Sequence, residues 1–302
     1  MANKVPLLLN GGVSFAATTP LWYTLQWDNN ICHTGNRKKT HWLTILQFME
    51  AKKYGYKEYV DQNGRTWHEW AQKHEMTPFD PPSSSKPAHL QKSSFTLQEE
   101  IELYSLPTSI DKYIEYFTRH YHNLNGEYKY VADFSNKNCT LHPEFLMDIR
   151  DKMLEAFDIK VTMIFRDPVR RIWSNCKCDM DKVFRKPADK KPQWHYDIMY
   201  QNHVDTWGEE NVYPIIMEDV WQDPSGLADF LGVKIDKMHR NCYWPEMGMN
   251  IPKYKWLRDQ YQWENAPVPY DYLREKLDFL YVNFEKKFGY IPKEWRKREF
   301  DI

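Results

Sequence analysis

Two stretches of this sequence combine residue types that can hold an anion. The first, LLLNGGVSFAATTPLWYTL (Leu7–Leu25), runs from apolar residues through two glycines and small side chains to two threonines and a proline. Gly11 and Gly12 permit backbone angles that other residues resist, and Ala16 and Ala17 leave the main chain open to close approach. Thr18 or Thr19 suits a helix cap, and Pro20 suits a first turn. Backbone N–H groups and hydroxyls in such a turn can hold a phosphate without a charged side chain, and this turn contains no lysine or arginine. The second stretch is VTMIFRDPVRRIWSNCKCDM (Val161–Met180), in which a β-branched run ends in Arg166. The Arg166 fork can grip a phosphate in two places, Asp167 can cap the following helix, and Pro168 suits its first position. Ser174, about two turns along that helix, can share the same anion. Each stretch also has a plain structural reading. A capped helix after a buried strand needs no ligand, and Arg166 can pair with a carboxylate.

The elements that must position these residues follow from periodicity. Short apolar or β-branched runs at Val5–Leu9, Lys129–Phe134, Lys160–Phe165 and Val212–Met217 read as buried strands, with Ile31–Thr34 a weaker one. Helical spacing covers Pro143–Ala156, Val169–Asp181, Pro224–Leu231 and Tyr270–Phe288. Strands alternating with helices predict an α/β, three-layer fold with a central mostly parallel sheet flanked by helices. Ligands of such sheets bind beyond the carboxyl ends of the strands, which is where both stretches fall. The whole of 1–302 reads as one domain, with an irregular loop over Thr77–Ser94, a basic loop over Arg185–Gln193 and an aromatic-rich part over 234–302.

Composition narrows the function classes. Across 302 residues the formal net charge is −1, so the chain as a whole offers no attraction to nucleic acid or to an anionic membrane. Five scattered cysteines and 11 histidines show no zinc-ligand spacing, and no metal is expected. The "HYH" of His120–His122 and the Cys176-x-Cys178 pair read as surface residues on a loop or helix. No apolar run reaches the length of a membrane span, and a reducing cytoplasm is the expected compartment.

The segment RDPVRRIWS resembles the 3′-phosphate-binding motif RDPxxRxxS of sulfotransferases that use 3′-phosphoadenosine 5′-phosphosulfate (PAPS). Arg166, Asp167, Pro168, Arg171 and Ser174 all match. YVADFSNKNCTLHPEFL (Tyr130–Leu146) is similar to the family's "GEKSPxYL" segment, and IIMEDVWQDPSGLADFLGV (Ile215–Val233) to its "EDLxxDP…FLGV" block. RKKTHWL (Arg37–Leu43) resembles the "KExHFF" segment of heparan-type, carbohydrate-modifying members. The resemblance spans residues 4–233. It implies a P-loop-like fold and transfer of a sulfuryl group from PAPS to a hydroxyl or amine, a carbohydrate being the acceptor. It also implies that Arg166 and Ser174 bind the 3′-phosphate. The 5′-phosphosulfate loop, usually KxGTT, would comprise Ser14, Phe15, Ala16, Ala17, Thr18 and Thr19. Phe15 stands where the family has its lysine, Ala17 where it has glycine, and Lys39 where the heparan-type members have a glutamate.

Sulfuryl transfer needs positive charge or N–H dipoles where the leaving oxygens gain charge. Lys38 or Lys39 can supply the charge that Phe15 does not, although "RKK" also reads as a solvated basic turn. His41 is the first candidate for the acceptor base, with His33 and Asp133 as others; packing roles are open to each. Asp133 reads more readily as a brace for loop backbone groups, and Glu218 and Asp219 as structural. Trp244, Tyr254, Trp256 and Trp263 can line a sugar site or simply pack, and Lys253 and Lys255 are further candidates for the 3′-phosphate. A P-loop kinase lacks support, because no GxxxxGK[ST] segment is present. Two functions stay open: an active PAPS-dependent sulfotransferase, and a non-catalytic nucleotide- or glycan-binding protein on the same fold.

Overall fold

The computed structural model describes residues 4–13, 16, 18–35, 40, 42–50, 109–175, 195–236, 238 and 270–296. The expected loops over Thr77–Ser94 and Arg185–Gln193 lie outside them. In chain order the regular elements are β1 (Val5–Asn10), α1 (Thr18–Tyr23), a π-helical turn (Thr24–Asp28), β2 (Cys32–His33) and α2 (Trp42–Met49). Next come α3 (Ile110–Asn123), β3 (Tyr130–Asp133), a 3₁₀ turn (Asn138–Thr140), α4 (Pro143–Ala156), β4 (Phe157–Phe165) and α5 (Pro168–Asn175). The chain continues through α6 (Tyr196–Trp207), a 3₁₀ turn (Glu209–Asn211), β5 (Val212–Ile216), α7 (Met217–Val220), α8 (Ser225–Leu231), α9 (Tyr270–Lys276), α10 (Asp278–Phe288) and a 3₁₀ turn (Lys293–Arg296).

The five strands form one sheet in the order β2-β3-β1-β4-β5, and every neighbouring pair is parallel. The expected α/β architecture is therefore present. β1 lies at the centre, with Leu7 opposite Val131 on one side and Ile159 on the other. Leu7, Leu8 and Leu9 are all buried, because successive side chains face opposite sides of the sheet and both sides are covered. β4 shows which helices cover which side. The Phe165 ring lies 4.8 Å from Tyr196 of α6 and 5.7 Å from Phe288 of α10. Lys160, of opposite parity, places its ammonium 4.9 Å from the Phe230 ring of α8. Helices thus sandwich the sheet.

Two elements depart from the sequence reading. β4 begins at Phe157, three residues ahead of Lys160, because Asp158 and Lys160 interrupt its apolar run while the alternating Phe157 and Ile159 are buried. The expected single helix Tyr270–Phe288 is two helices with a break at Leu277. The Leu277 N–H donates to Leu273 at 3.0 Å and its carbonyl accepts from Leu280 at 2.9 Å. This tight turn redirects the chain so that Leu273, Leu277, Leu280, Tyr281 and Phe284 all stay buried.

The strand order fixes where a site can form. After β1 the chain leaves toward β2, and after β4 it leaves toward β5 on the opposite side. Adjacent strands whose connections diverge open a crevice at their carboxyl ends. One glycine there is sterically required: a β-carbon on Gly12 would stand 2.2 Å from Ile164 Cγ2 and 2.9 Å from Asn10 Oδ1. Gly12→Ala is expected to lower unfolding free energy by about 1–3 kcal/mol, through overpacking at the mouth of this crevice. Urea denaturation of the two proteins measures it, and equal midpoints would show that the loop yields without cost.

Candidate functional site

The loop after β1 begins as an extension of the sheet. Gly11 N–H donates to the Thr162 carbonyl at 2.8 Å, and Gly12 N–H donates to Asn10 Oδ1 at 3.1 Å. Ala16 N–H donates to the Val13 carbonyl at 3.3 Å, and Ala16 and Thr18 are buried. α1 starts at Thr18, so Thr18 and Thr19 lie within its first turn, with Pro20 third. Beneath the loop, Asn10 Nδ2 and Thr162 Oγ1 are buried without a partner among the described residues. Ser14, Phe15 and Ala17 lie outside the described residues, and so does the Thr19 side chain.

The loop after β4 is held from both sides of the Arg166–Asp167 peptide. Tyr196 donates its hydroxyl to the Arg166 carbonyl at 2.9 Å, and the Asp167 N–H donates to Glu218 Oε1 at 3.3 Å. Asp167 caps α5 as its sequence predicts: Oδ1 accepts the Arg170 N–H at 2.9 Å, with Pro168 opening the helix. The same oxygen accepts the Tyr281 hydroxyl at 3.0 Å, and Glu218 Oε2 accepts Trp295 Nε1 at 2.8 Å. Burial pushes the Asp167 carboxyl up from 3.8 to about 6, and the nearby Glu218 charge pushes the same way. Burial also raises Glu218, against the pull of its Trp295 hydrogen bond and of Arg166. Arg166 is half-buried at the carboxyl end of β4, the strand paired with β1. Arg171 turns inward instead: it is buried and donates to the Tyr196 hydroxyl at 3.3 Å, beneath the peptide that Tyr196 holds. Ser174 belongs to α5, and its side chain lies outside the described set.

At the carboxyl ends of β2 and β3 the polar residues brace one another. Asp133 is fully buried and accepts from Ser135 N–H at 2.9 Å, Ser135 Oγ, Thr40 Oγ1 at 3.2 Å and Tyr113 at 3.2 Å. It is a brace, as expected, and is too enclosed to take a proton from a bound acceptor. His33 Nδ1 receives the Gly35 N–H at 3.1 Å, so it must also be the acceptor toward His120 Nε2 at 3.0 Å. His120 is therefore not the surface residue its tripeptide suggested: it is buried on the inner face of α3. Burial lowers His33 to about 4 and His120 to about 3, so both are neutral and weakly basic near pH 7, and their enclosure speaks for a structural role. Lys38, Lys39 and His41 lie outside the described residues; their neighbours Gly35 and Thr40 are fixed at the ends of β2 and β3.

Sequence reasoning missed the residues that hold the β4 loop. Tyr196, Tyr281 and Trp295 carry no motif, and the aromatic-rich reading of 234–302 covered only Tyr281 and Trp295. Gln26 of the π-helical turn was missed too: its Oε1 accepts Trp22 Nε1 at 2.8 Å and both Thr34 N–H and Thr34 Oγ1 at 3.0 Å, tying α1 to the end of β2. Among the described residues no group of three His, Cys, Asp or Glu could hold a metal ion, and no helix is long and apolar enough to cross a membrane.

The raised Asp167 carboxyl has a measurable consequence. A carboxyl whose folded value lies above its ordinary 3.8 favours the folded state at low pH, and that stability is lost as pH rises through about 6. Asp167→Asn keeps an acceptor oxygen and removes the titration. The stability of the variant relative to the parent is expected to rise between pH 4 and pH 8, by up to about 3 kcal/mol. Denaturant unfolding at both pH values measures this, and a pH-independent difference would place Asp167 in a solvated setting.

No protein-family model matches the chain, and no curated protein matches it in sequence. Solved structures do match. The chain is similar to a sulfotransferase from Alicyclobacillus acidocaldarius at 18% identity and a TM-score of 0.54, over 98% of this chain and 100% of that one. It is similar to the sulfotransferase domain from the curacin biosynthetic pathway at 17% identity and a TM-score of 0.50, over 96% of this chain and 99% of that one. At such identities the likeness is one of fold: this chain has the sulfotransferase-type α/β fold, a parallel central sheet between helical layers.

Proposed function

We propose that this chain is a sulfotransferase that takes PAPS as donor and passes its sulfuryl group to a hydroxyl or amine, with a carbohydrate as acceptor. One observation carries the reading. Arg166 and the Asp167-capped start of α5 stand at the carboxyl end of β4, and the glycine loop leaves the end of the adjoining strand β1 beside Thr162 and Ile164. An arginine fork beside a helix N-terminus suits a phosphate, and a second loop one strand away suits the other anionic end of the same nucleotide.

In this reading Arg166 and Ser174 bind the 3′-phosphate. The loop comprising Ser14, Phe15, Ala16, Ala17, Thr18 and Thr19 holds the 5′-phosphosulfate through N–H groups and the threonine hydroxyls. Lys38 or Lys39 supplies charge to the oxygens of the leaving phosphate. The acceptor oxygen attacks sulfur in line, the bond from sulfur to the phosphate oxygen breaks, and the acceptor proton passes to His41. The nucleotide leaves as 3′,5′-ADP. No metal takes part, one domain over 1–302 performs the reaction, and the compartment is the cytoplasm.

A second reading keeps the nucleotide site without turnover. It is favoured by Phe15 in place of the loop lysine and Lys39 in place of the glutamate. Calorimetric titration with 3′,5′-ADP tests what the two readings share. Arg166→Ala is expected to weaken binding roughly 10- to 100-fold. Undiminished binding by that variant, or none by the parent, rejects both readings. Transfer of labelled sulfate from PAPS to a glycan panel then separates them: binding without transfer selects the binding protein. If the parent is active, Lys38→Ala/Lys39→Ala is expected to lower kcat by about 100-fold with donor binding retained. Unchanged turnover would remove these lysines from the mechanism.

A further inference from the structure

Glu218 lies immediately after β5, and its two carboxylate oxygens are engaged by different parts of the chain. Oε1 accepts the Asp167 N–H at 3.3 Å, and Oε2 accepts Trp295 Nε1 at 2.8 Å. Trp295 is fully buried in the 3₁₀ turn after α10, its ring 4.4 Å from Phe284 and 6.1 Å from Tyr281. Tyr281 in turn donates to Asp167 Oδ1 at 3.0 Å and accepts the Val169 N–H at 3.4 Å, with the Arg274 guanidinium 3.2 Å from its ring. The C-terminal segment therefore reaches the β4–α5 junction twice, once through Tyr281 and once through Trp295 and Glu218.

Each of these contacts falls on the peptide unit that leaves Arg166, or on the residues just after it. With its carbonyl bonded by Tyr196 and its N–H by Glu218, that peptide plane cannot rotate without stranding a buried polar group. Fixing the plane fixes the direction in which the Arg166 side chain departs from the strand. The charged and titratable groups around Glu218 are Arg166, Asp167 and Tyr196, and Arg166 is the cation that favours its ionised form.

We propose that Glu218, held by Trp295 of the C-terminal 3₁₀ turn, is the positioning residue that sets Arg166 for the 3′-phosphate of the donor. This rests on the reading of Arg166 as a phosphate ligand. Glu218 touches no part of the nucleotide; it acts through the Arg166–Asp167 peptide and through its charge. A glutamine at this position has one acceptor oxygen for two donors, and its amide N–H groups face the second.

The test uses two nucleotides that differ only in the 3′-phosphate, 3′,5′-ADP and 5′-AMP, titrated calorimetrically into the full chain. The parent is expected to bind 3′,5′-ADP more tightly. Glu218→Gln is expected to lose about tenfold in affinity for 3′,5′-ADP, the scale on which supporting partners act elsewhere, and nothing for 5′-AMP. Trp295→Phe keeps a buried aromatic ring, though a smaller one, and removes the donor to Glu218, so a smaller loss selective for 3′,5′-ADP is expected, and this variant decides the matter if Glu218→Gln fails to fold. Equal losses for both nucleotides would make Glu218 merely structural, and full retention of the parent's preference would overturn the proposal outright. A parent indifferent to the 3′-phosphate would reject the reading of Arg166 itself.

Discussion

The peptide between Arg166 and Asp167 sits where the buried end of β4 becomes a helix, and there its two polar groups lose their sheet partners. A buried peptide must find hydrogen bonds elsewhere. Here the carbonyl is taken by Tyr196 of α6 and the N–H by Glu218 of α7, two elements far away in sequence. In the helix that follows, the Val169 N–H donates to Tyr281 of α10 and the Arg170 N–H to Asp167, which also accepts from Tyr281. The direction of Arg166, the start of α5 and the docking of the C-terminal helices are consequently one cooperative arrangement.

The same solution recurs along the carboxyl edge of the sheet. At its middle the sheet is apolar on both faces, as in Leu7, Leu8, Val161 and Met163. At its edge lie Asn10, His33, Asp133 and Asp167, each buried and each accepting a backbone N–H two or three residues further along the chain. Such networks are expensive unless fully connected, and two of the groups involved are acids lifted by burial, Asp133 and Asp167. Their effect is to hold the loops that border the crevice in fixed positions. Groups enlisted for that task are not available as bases, which separates the frame of the site from any residue that moves a proton in it.

Much of the frame was legible in local pattern. The run Val5–Leu9, the helix Pro143–Ala156 and the Asp-Pro start of α5 are set by burial on both strand faces, by 3.6-residue spacing and by cap chemistry, all readable within a few residues. Where the pattern was broken the reading failed. β4 begins earlier than its apolar run because Asp158 and Lys160 alternate with buried Phe157 and Ile159. α3 has a clear apolar stripe in Tyr113, Tyr116, Phe117 and His120, with Ser109 capping it, yet a histidine on that stripe reads as polar surface until its partner is known.

The sequence alone determined the alternation of strands and helices, the glycine turn after β1 and the capped arginine junction after β4. These depend on backbone period and on hydrogen bonds that span a few residues. Only the tertiary structure decided which polar side chains face inward. Arg170 and Arg171 are neighbours of the same type, but Arg171 is buried beneath Tyr196. His33 and His120, 87 residues apart, share one hydrogen bond, and burial lowers the basicity of both. Burial and long-range pairing set the charge and direction of a side chain, and neither is encoded in the residues beside it.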